Sequence, residues 1–233
     1  MKRALQLDIL PQPDDTTCGP TCLHAVYRYW GDEIPLAQVI ATTRRLPTGG
    51  TLGVNLATHA LERGYRATVY TYNLQVFDPT WFEPGVPDMR ARIERQLEFK
   101  KSRRLHTAAH AYMRFLDHGG ELRFADLSEA LLHRYLRRSI PILTGLSATF
   151  LYREPREYGP NDESDDLRGE PVGHFVVLCG YDKGKRKVRI ADPHATNPVA
   201  LSQLYEVDTD RLISAILLGT LTYDGNLLIL EPR

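Results

Sequence analysis

A cysteine near the N-terminus stands where a nucleophile could be activated. Cys18 opens the run Cys-Gly-Pro-Thr-Cys, and Pro20 is typical of the first turn of a helix. The unpaired N–H groups and the positive dipole at a helix start favour a thiolate. Gly19 leaves room beside the sulfur, and the amide of Gln12 could donate to the oxyanion formed by attack on a carbonyl. The alternative is a buried structural cysteine beside a surface glutamine.

A histidine and an aspartate in the C-terminal region could complete such a site. Two apolar-rich strands flank a polar turn, and a turn centred near Lys183 places His174 and Asp192 opposite each other. A carboxylate facing an imidazole on one face of a sheet can fix the tautomer of the histidine and stabilise its protonated form. A lone histidine is more often structural, and a one-residue slip in register would separate the pair.

The segment that follows Cys18 must form a helix to hold the thiol. Cys22, Ala25, Val26 and Tyr29 recur at helical spacing and predict one apolar face. Cys22 therefore belongs to the core rather than to the site.

A second helix and a strand complete the N-terminal zone. A helix is predicted over 52–63, with Thr51 as the candidate N-cap and Gly64 as the stop signal. Residues 66–72 are rich in Thr, Val and Tyr and predict a strand.

The rest of the chain divides into a helical zone and a β-rich zone. Residues from about 78 to 138 show helical periodicity. Beyond them the pattern predicts four strands and a late helix: strands over 140–146, 175–181, 187–191 and 226–230, and a helix over 208–218. The acidic segment at about 153–170 reads as an exposed loop, which could lie over a site. We expect one domain over 1–233, with a helical insertion at about 78–138.

The order of these motifs resembles the papain-like cysteine peptidases of the C39 type. The matching residues are Gln12, Cys18-Gly-Pro, Gly-His174-Phe-Val-Val-Leu and Ile-Ala-Asp192-Pro. The resemblance implies an α+β fold in which an N-terminal helix carrying the cysteine packs against a C-terminal antiparallel sheet carrying His and Asp. It implies Cys18 as nucleophile and His174 as general base and acid. Asp192 would orient the imidazole, and Gln12 would donate to the oxyanion.

By this likeness the chain is a thiol-dependent peptidase or amidase that uses no cofactor or metal. Gly19 and Gly173 are candidate contacts for a peptide or amide substrate. An acyl- or peptidyl-transferase with the same triad is the alternative, because pocket shape selects the acceptor. A peptide-binding module without activity ranks third. The best-known members are fused to membrane export machines; this chain lacks a Walker-type Gly-x4-Gly-Lys-Ser/Thr loop and resembles the stand-alone C39-like group more closely.

Composition narrows the function classes further. The 233 residues contain 29 Lys+Arg and 29 Asp+Glu, and this balance argues against a nucleic-acid partner. No apolar run approaches the ~18–20 residues of a membrane span. Three cysteines cannot form a complete disulfide framework, which predicts reduced thiols in a cytoplasmic protein. Cys179 has the opposite strand parity to His174 and should face away from the site, whereas His194 could border a pocket.

Overall fold

A computed structural model describes residues 2–47, 49–85 and 88–233. The helices in this part are α1 (Cys18–Tyr29), α2 (Leu36–Thr42), α3 (Gly53–Glu62), α4 (Met89–Phe99), α5 (Arg103–Asp117), α6 (Glu129–Leu136), α7 (Ala148–Tyr152) and α8 (Thr209–Leu218), with 3-10 turns at Pro79–Phe82 and Gly219–Thr222. The strands are β1 (Lys2–Ala4), β2 (Tyr65–Thr71), β3 (Glu121–Arg123), β4 (Ile142–Ser147), β5 (Glu157–Tyr158), β6 (Glu163–Ser164), β7 (Gly173–Asp182), β8 (Lys187–Ala191), β9 (Leu204–Asp208) and β10 (Asn226–Pro232). None of the helices described is both long enough and apolar enough to cross a bilayer.

One large sheet organises the fold. Its strand order is β3-β2-β10-β4-β7-β8-β9, and β1 pairs with the end of β7. The neighbours are antiparallel except for β2 and β3, which run parallel. β5 and β6 form a separate two-stranded hairpin. The strand that carries His174 therefore lies inside the sheet, between β4 and β8.

Helices α1 and α3 pack on the sheet around Phe175 of β7. A Cβ at Gly19 of α1 would lie 3.1 Å from the Phe175 ring and 2.9 Å from the side chain of Thr51. A Cβ at Gly53 of α3 would lie 3.4 Å from the same ring. Small residues let both helices approach β7 closely, which fixes where α1 starts relative to the strand. The α+β fold expected from the sequence is confirmed, with the cysteine-bearing helix against the antiparallel sheet.

The N-terminal elements follow the sequence pattern, with one correction. Helix α1 begins at Cys18, and α3 ends before Gly64, which adopts φ +89°. Thr51, however, is not the cap of α3, because its hydroxyl donates to the Arg44 carbonyl at 2.7 Å. The N–H of Gly53 instead donates to Oδ1 of Asp224 at 2.7 Å. A residue 171 positions away supplies the cap, which sequence spacing could not show.

Most of the elements predicted for the later part of the chain are present in the structure. Strands β4, β7, β8 and β10 and helix α8 overlap the predicted segments. Strand β9 escaped prediction because its alternation spans only five residues and includes two acidic ones. The middle zone contains α4, α5 and α6, while its strand β3 joins the main sheet beside β2.

The cap at Asp224 is a buried carboxyl group with an altered protonation equilibrium. Burial raises the pKa of Asp224 to about 7, although the hydrogen bond from Gly53 N–H opposes this change. The unfolded chain releases this proton at the ordinary value near 3.9, so the folded state holds a proton that the unfolded state loses. Folding stability therefore falls as pH rises from about 4 to about 7, and stays low above it.

Asp224→Asn should remove this pH-dependent loss while it keeps an oxygen acceptor for Gly53 N–H. Since each pKa unit is worth about 1.4 kcal/mol, we expect the variant to be more stable than wild type by on the order of 2–4 kcal/mol at pH 8, with the difference shrinking towards pH 4. Urea unfolding across this range measures it, with exposed Asp8→Asn as control. An increase in the free energy of unfolding that is the same at every pH would contradict the raised pKa of Asp224.

Candidate active site

Cys18 occupies the first position of α1. The preceding N-cap residue, Thr17, makes no side-chain cap hydrogen bond, and the first turn contains no acidic residue. The N–H groups at this end have no partner within the helix, so they and the helix dipole are available to an anion. Cys18 is half-buried, with part of its surface open.

His174 and Asp192 form a buried hydrogen-bonded pair. Nε2 of His174 lies 2.9 Å from Oδ1 of Asp192. The carboxylate has no exposed surface, and the imidazole is 9% exposed. The structure thus brings together the two residues that the sequence pattern paired.

The pair forms through a different strand register from the one expected. The prediction of a turn centred near Lys183 is wrong, because β7 ends at Asp182 and β8 starts at Lys187. The Asp182 carboxylate accepts from the N–H groups of Gly184 and Lys185 at 3.0 and 3.2 Å, which stabilises a four-residue turn.

A β-bulge then corrects the register. Gly180 pairs with Arg189, but the next pair is Leu178 with Ile190, so Cys179 is an extra residue on β7. Beyond the bulge, continuation of the register places Asp192 opposite residue 176, two residues from His174 and on the same face. Without the bulge, Asp192 would oppose residue 177 and point to the other face.

The second nitrogen of His174, Nδ1, can form a hydrogen bond with Cys18. Burial by itself lowers the pKa of the imidazole, but hydrogen bonds with Asp192 and Cys18, and their negative charge, raise the pKa of His174 to about 10. Because Nε2 is bonded to Asp192, Nδ1 is the nitrogen left to exchange a proton with the thiol. The arrangement favours the imidazolium form of His174.

The Asp192 carboxylate also bonds to groups that sequence reasoning missed. Oδ2 accepts from the hydroxyl of Tyr152 at 2.7 Å and from that of Tyr205 at 2.6 Å. Oδ1 additionally accepts from the backbone N–H of His194 at 2.9 Å. Tyr152 ends α7 and Tyr205 lies on β9, and no motif in the sequence links either residue to Asp192.

The N-terminal segment brings Gln12 next to the residue that follows Asp192. Its backbone N–H donates to the Pro193 carbonyl at 2.9 Å, next to Asp192. One N–H of its side-chain amide donates to the Asp14 carbonyl at 2.9 Å, and a second remains on the same nitrogen. Gln12 and His174 line one cavity.

This cavity has a volume of about 490 Å³ and a strongly acidic lining. Asp15, Glu154, Glu157 and Asp162 contribute to its wall, and no lysine or arginine of the described residues does. Burial, followed by the negative charges of Asp162, Asp15 and Glu154, raises the pKa of Glu157. The other three carboxylates therefore lie close enough to Glu157 to disfavour its negative charge.

Of the two glycines predicted to contact substrate, Gly173 lines the cavity and Gly19 does not. Gly173 and His194 line the cavity. Gly19 is buried and does not, because the space beside its Cα is filled by Thr51 and Phe175. The structure gives Gly19 a packing role, and the cavity lining offers no support for a substrate contact there.

The other two cysteines are buried. The Cys22 thiol is fully buried and donates to the Phe175 carbonyl at 3.2 Å, and burial raises its pKa. Burial also raises the pKa of Cys179, the bulge residue, to about 12. All three cysteines are free thiols. Across residues 2–47, 49–85 and 88–233, no cluster of three potential metal ligands occurs.

Comparison with known proteins identifies the fold. No protein-family model and no curated protein matches the chain. Among solved structures, a predicted C39-like peptidase from Bacillus anthracis is similar at a TM-score of 0.54 with 14% identity, covering 100% of this chain and 98% of that chain. Xylellain, a cysteine protease from Xylella fastidiosa, gives 0.47 with 16% identity and 100% and 86% coverage. A double-glycine-motif protease from an AMS/PCAT transporter, solved with its leader peptide, gives 0.46 with 14% identity and 99% and 95% coverage. The chain has the papain-like fold of C39-like peptidases.

The coupling between Cys18 and His174 can be tested by titration of the imidazole. In wild type, His174 should remain protonated through pH 7, because its pKa lies near 10. Cys18→Ala removes a hydrogen bond and a negative charge, so the pKa should fall towards the ordinary value of about 6.5. Histidine NMR measures both, with the His174 signal among eight assigned by its loss in His174→Gln. Equal pKa values in wild type and Cys18→Ala would show that the thiol and imidazole are uncoupled.

Proposed function

We propose that the protein is a thiol hydrolase that cleaves peptide or amide bonds. The observation that carries this proposal is the arrangement of Cys18 at the start of α1 beside His174, whose Nε2 is held by Asp192 at 2.9 Å. A thiol, an imidazole and a carboxylate in this order form an activated nucleophile with an oriented base. The fold shared with C39-like peptidases supports the same conclusion.

The reaction follows from the positions of these groups. The thiolate of Cys18 attacks the carbonyl carbon, and the resulting oxyanion accepts from the backbone N–H of Cys18 and the amide of Gln12. Imidazolium Nδ1 of His174 gives its proton to the leaving nitrogen, the C–N bond breaks and a thioester remains. Neutral His174 then takes a proton from water, whose oxygen attacks the thioester; the C–S bond breaks, the acid is released and the thiolate–imidazolium pair is restored.

Alkylation by iodoacetamide tests the nucleophile without a known substrate. At pH 6.5, Cys18 should react at least about 10-fold faster than Cys22 and Cys179, which burial keeps protonated. His174→Ala should slow Cys18 by a similar factor, because the imidazolium that favours the thiolate is lost. Mass spectrometry quantifies each cysteine separately. Equal rates at all three cysteines would refute an activated thiol and favour a peptide-binding module.

Turnover of a diverse peptide mixture tests the reaction itself. Cys18→Ala should abolish cleavage, and Gln12→Ala should reduce kcat roughly 10²–10³-fold, the usual cost of one oxyanion donor. Gln38→Ala changes an exposed glutamine of α2 and should leave kcat unchanged. Product masses measured with and without an added amine show whether water or the amine accepts the acyl group. Amine adducts formed in place of the acid product would identify a transferase.

The cavity lining points to positively charged substrates. Its four carboxylates make no ion pair with a basic residue of the described chain, and two arginines of the acidic loop are bonded elsewhere. Arg156 donates to the Asp166 carbonyl at 2.5 Å, and Arg168 pairs with Asp165 at 2.6 Å. A lysine or arginine side chain of a substrate would relieve the repulsion around Glu157. We therefore propose that the enzyme prefers peptides with a basic residue next to the cleaved bond.

Matched peptides that differ only in one Lys, Gln or Glu test this preference. The Lys peptide should have the highest kcat/KM, and the advantage should shrink at high salt. Since an exposed ion pair contributes about 0.2–1 kcal/mol, Glu157→Gln with Asp162→Asn should reduce kcat/KM for the Lys peptide roughly 2- to 30-fold. Glu163→Gln, on the same hairpin but outside the cavity, is the matched control. Equal kcat/KM for the three peptides would rule out charge selection.

A further inference from the structure

The Asp192 carboxylate is surrounded by donors on both of its oxygens. Oδ1 accepts from His174 Nε2 and from the backbone N–H of His194, each at 2.9 Å. Oδ2 accepts from the hydroxyl groups of Tyr152 and Tyr205, at 2.7 and 2.6 Å. No surface of this residue reaches solvent. Four donors replace the hydration that a buried anion loses.

The protonation equilibria agree with this geometry. Burial raises the pKa of Asp192, but hydrogen bonds from His174, Tyr205 and the His194 N–H outweigh it and lower the pKa below its usual range. Burial and the negative charge of Asp192 raise the pKa of Tyr152 and that of Tyr205. Both phenols therefore stay protonated and act as permanent donors.

The two tyrosines come from different elements of the fold. Tyr205 lies on β9, where it pairs with Ile190 of β8 two residues before Asp192. Tyr152 ends α7, and Arg153, which follows with φ +63°, starts the acidic loop. The Tyr152 ring stacks on His194 at 6.2 Å and lies 5.9 Å from the His174 ring. Tyr152 also lines the cavity, so one side chain joins the acidic loop to the carboxylate.

We propose that Tyr152 and Tyr205 are positioning residues that hold Asp192 as an oriented anion. With Oδ2 bound by two phenols, only Oδ1 faces the imidazole. His174 is then fixed with Nε2 towards Asp192 and Nδ1 towards Cys18. The role in catalysis rests on the thiol-hydrolase function proposed above, whereas the effect on His174 does not.

Tyr152→Phe, Tyr205→Phe and the double variant test this proposal, because each keeps the ring and removes one donor. A hydrogen bond to a charged group contributes about 1.5–3 kcal/mol, so each single variant should lower kcat roughly 10- to 100-fold with little change in KM. Histidine NMR should show a lower His174 pKa in each variant, and the largest decrease in the double variant. Tyr29→Phe removes a 2.7 Å bond to the Ser139 carbonyl at the far end of α1 and is the matched control.

The two measurements separate the possible failures. A His174 pKa equal to or above that of wild type in the folded single variants overturns the proposal, whatever the activity. If wild type cleaves no peptide yet the His174 pKa falls in both variants, the positioning role holds and the hydrolase function fails. Circular dichroism establishes folding, and the single variants decide the question if the double variant does not fold.

Discussion

A buried negative charge constrains the centre of this protein. The Asp192 carboxylate is sealed from solvent, and such a group is tolerated only where donors replace water on both oxygens. Those donors come from α7, β7, β9 and the turn after β8. The need to satisfy one anion therefore ties four distant segments together. The same carboxylate accepts from the His174 imidazole, whose pKa it helps to raise.

The β-bulge at Cys179 determines whether this network can exist. The four-residue turn sets a strand register near Asp182 that, if continued, would place Asp192 on the opposite face of the sheet from His174. One extra residue on β7 shifts this register and places Asp192 on the same face as His174. β1 packs tightly beside the bulge, where a Cβ at Gly180 would lie 2.6 Å from the Arg3 carbonyl oxygen. A local irregularity in the sheet thus sets the geometry of the histidine–aspartate pair.

Charge is distributed unevenly despite the neutral sum. Lysines and arginines balance the acidic residues over the whole chain, yet the cavity beside His174 is lined by four carboxylates without a basic partner. Arg156 and Arg168 of the acidic loop are bonded within the loop. The neutral sum therefore does not describe the local electric field at this cavity. Tyr152 lines this cavity and donates to Asp192, so one side chain connects the cavity to the buried carboxylate.

The sequence by itself determined the features that depend on neighbouring residues. The proline-containing helix start at Cys18, the apolar strands around His174 and the order of Gln12, Cys18, His174 and Asp192 predicted the fold class and the candidate residues. The structure alone decided the register, the acidic cavity, the Asp224 cap of α3 and the tyrosines on Asp192. These features join residues far apart in the chain, such as Tyr152 and Asp192, which are 40 positions apart. Periodicity reports which face of an element is apolar, whereas packing decides which polar groups meet inside the fold.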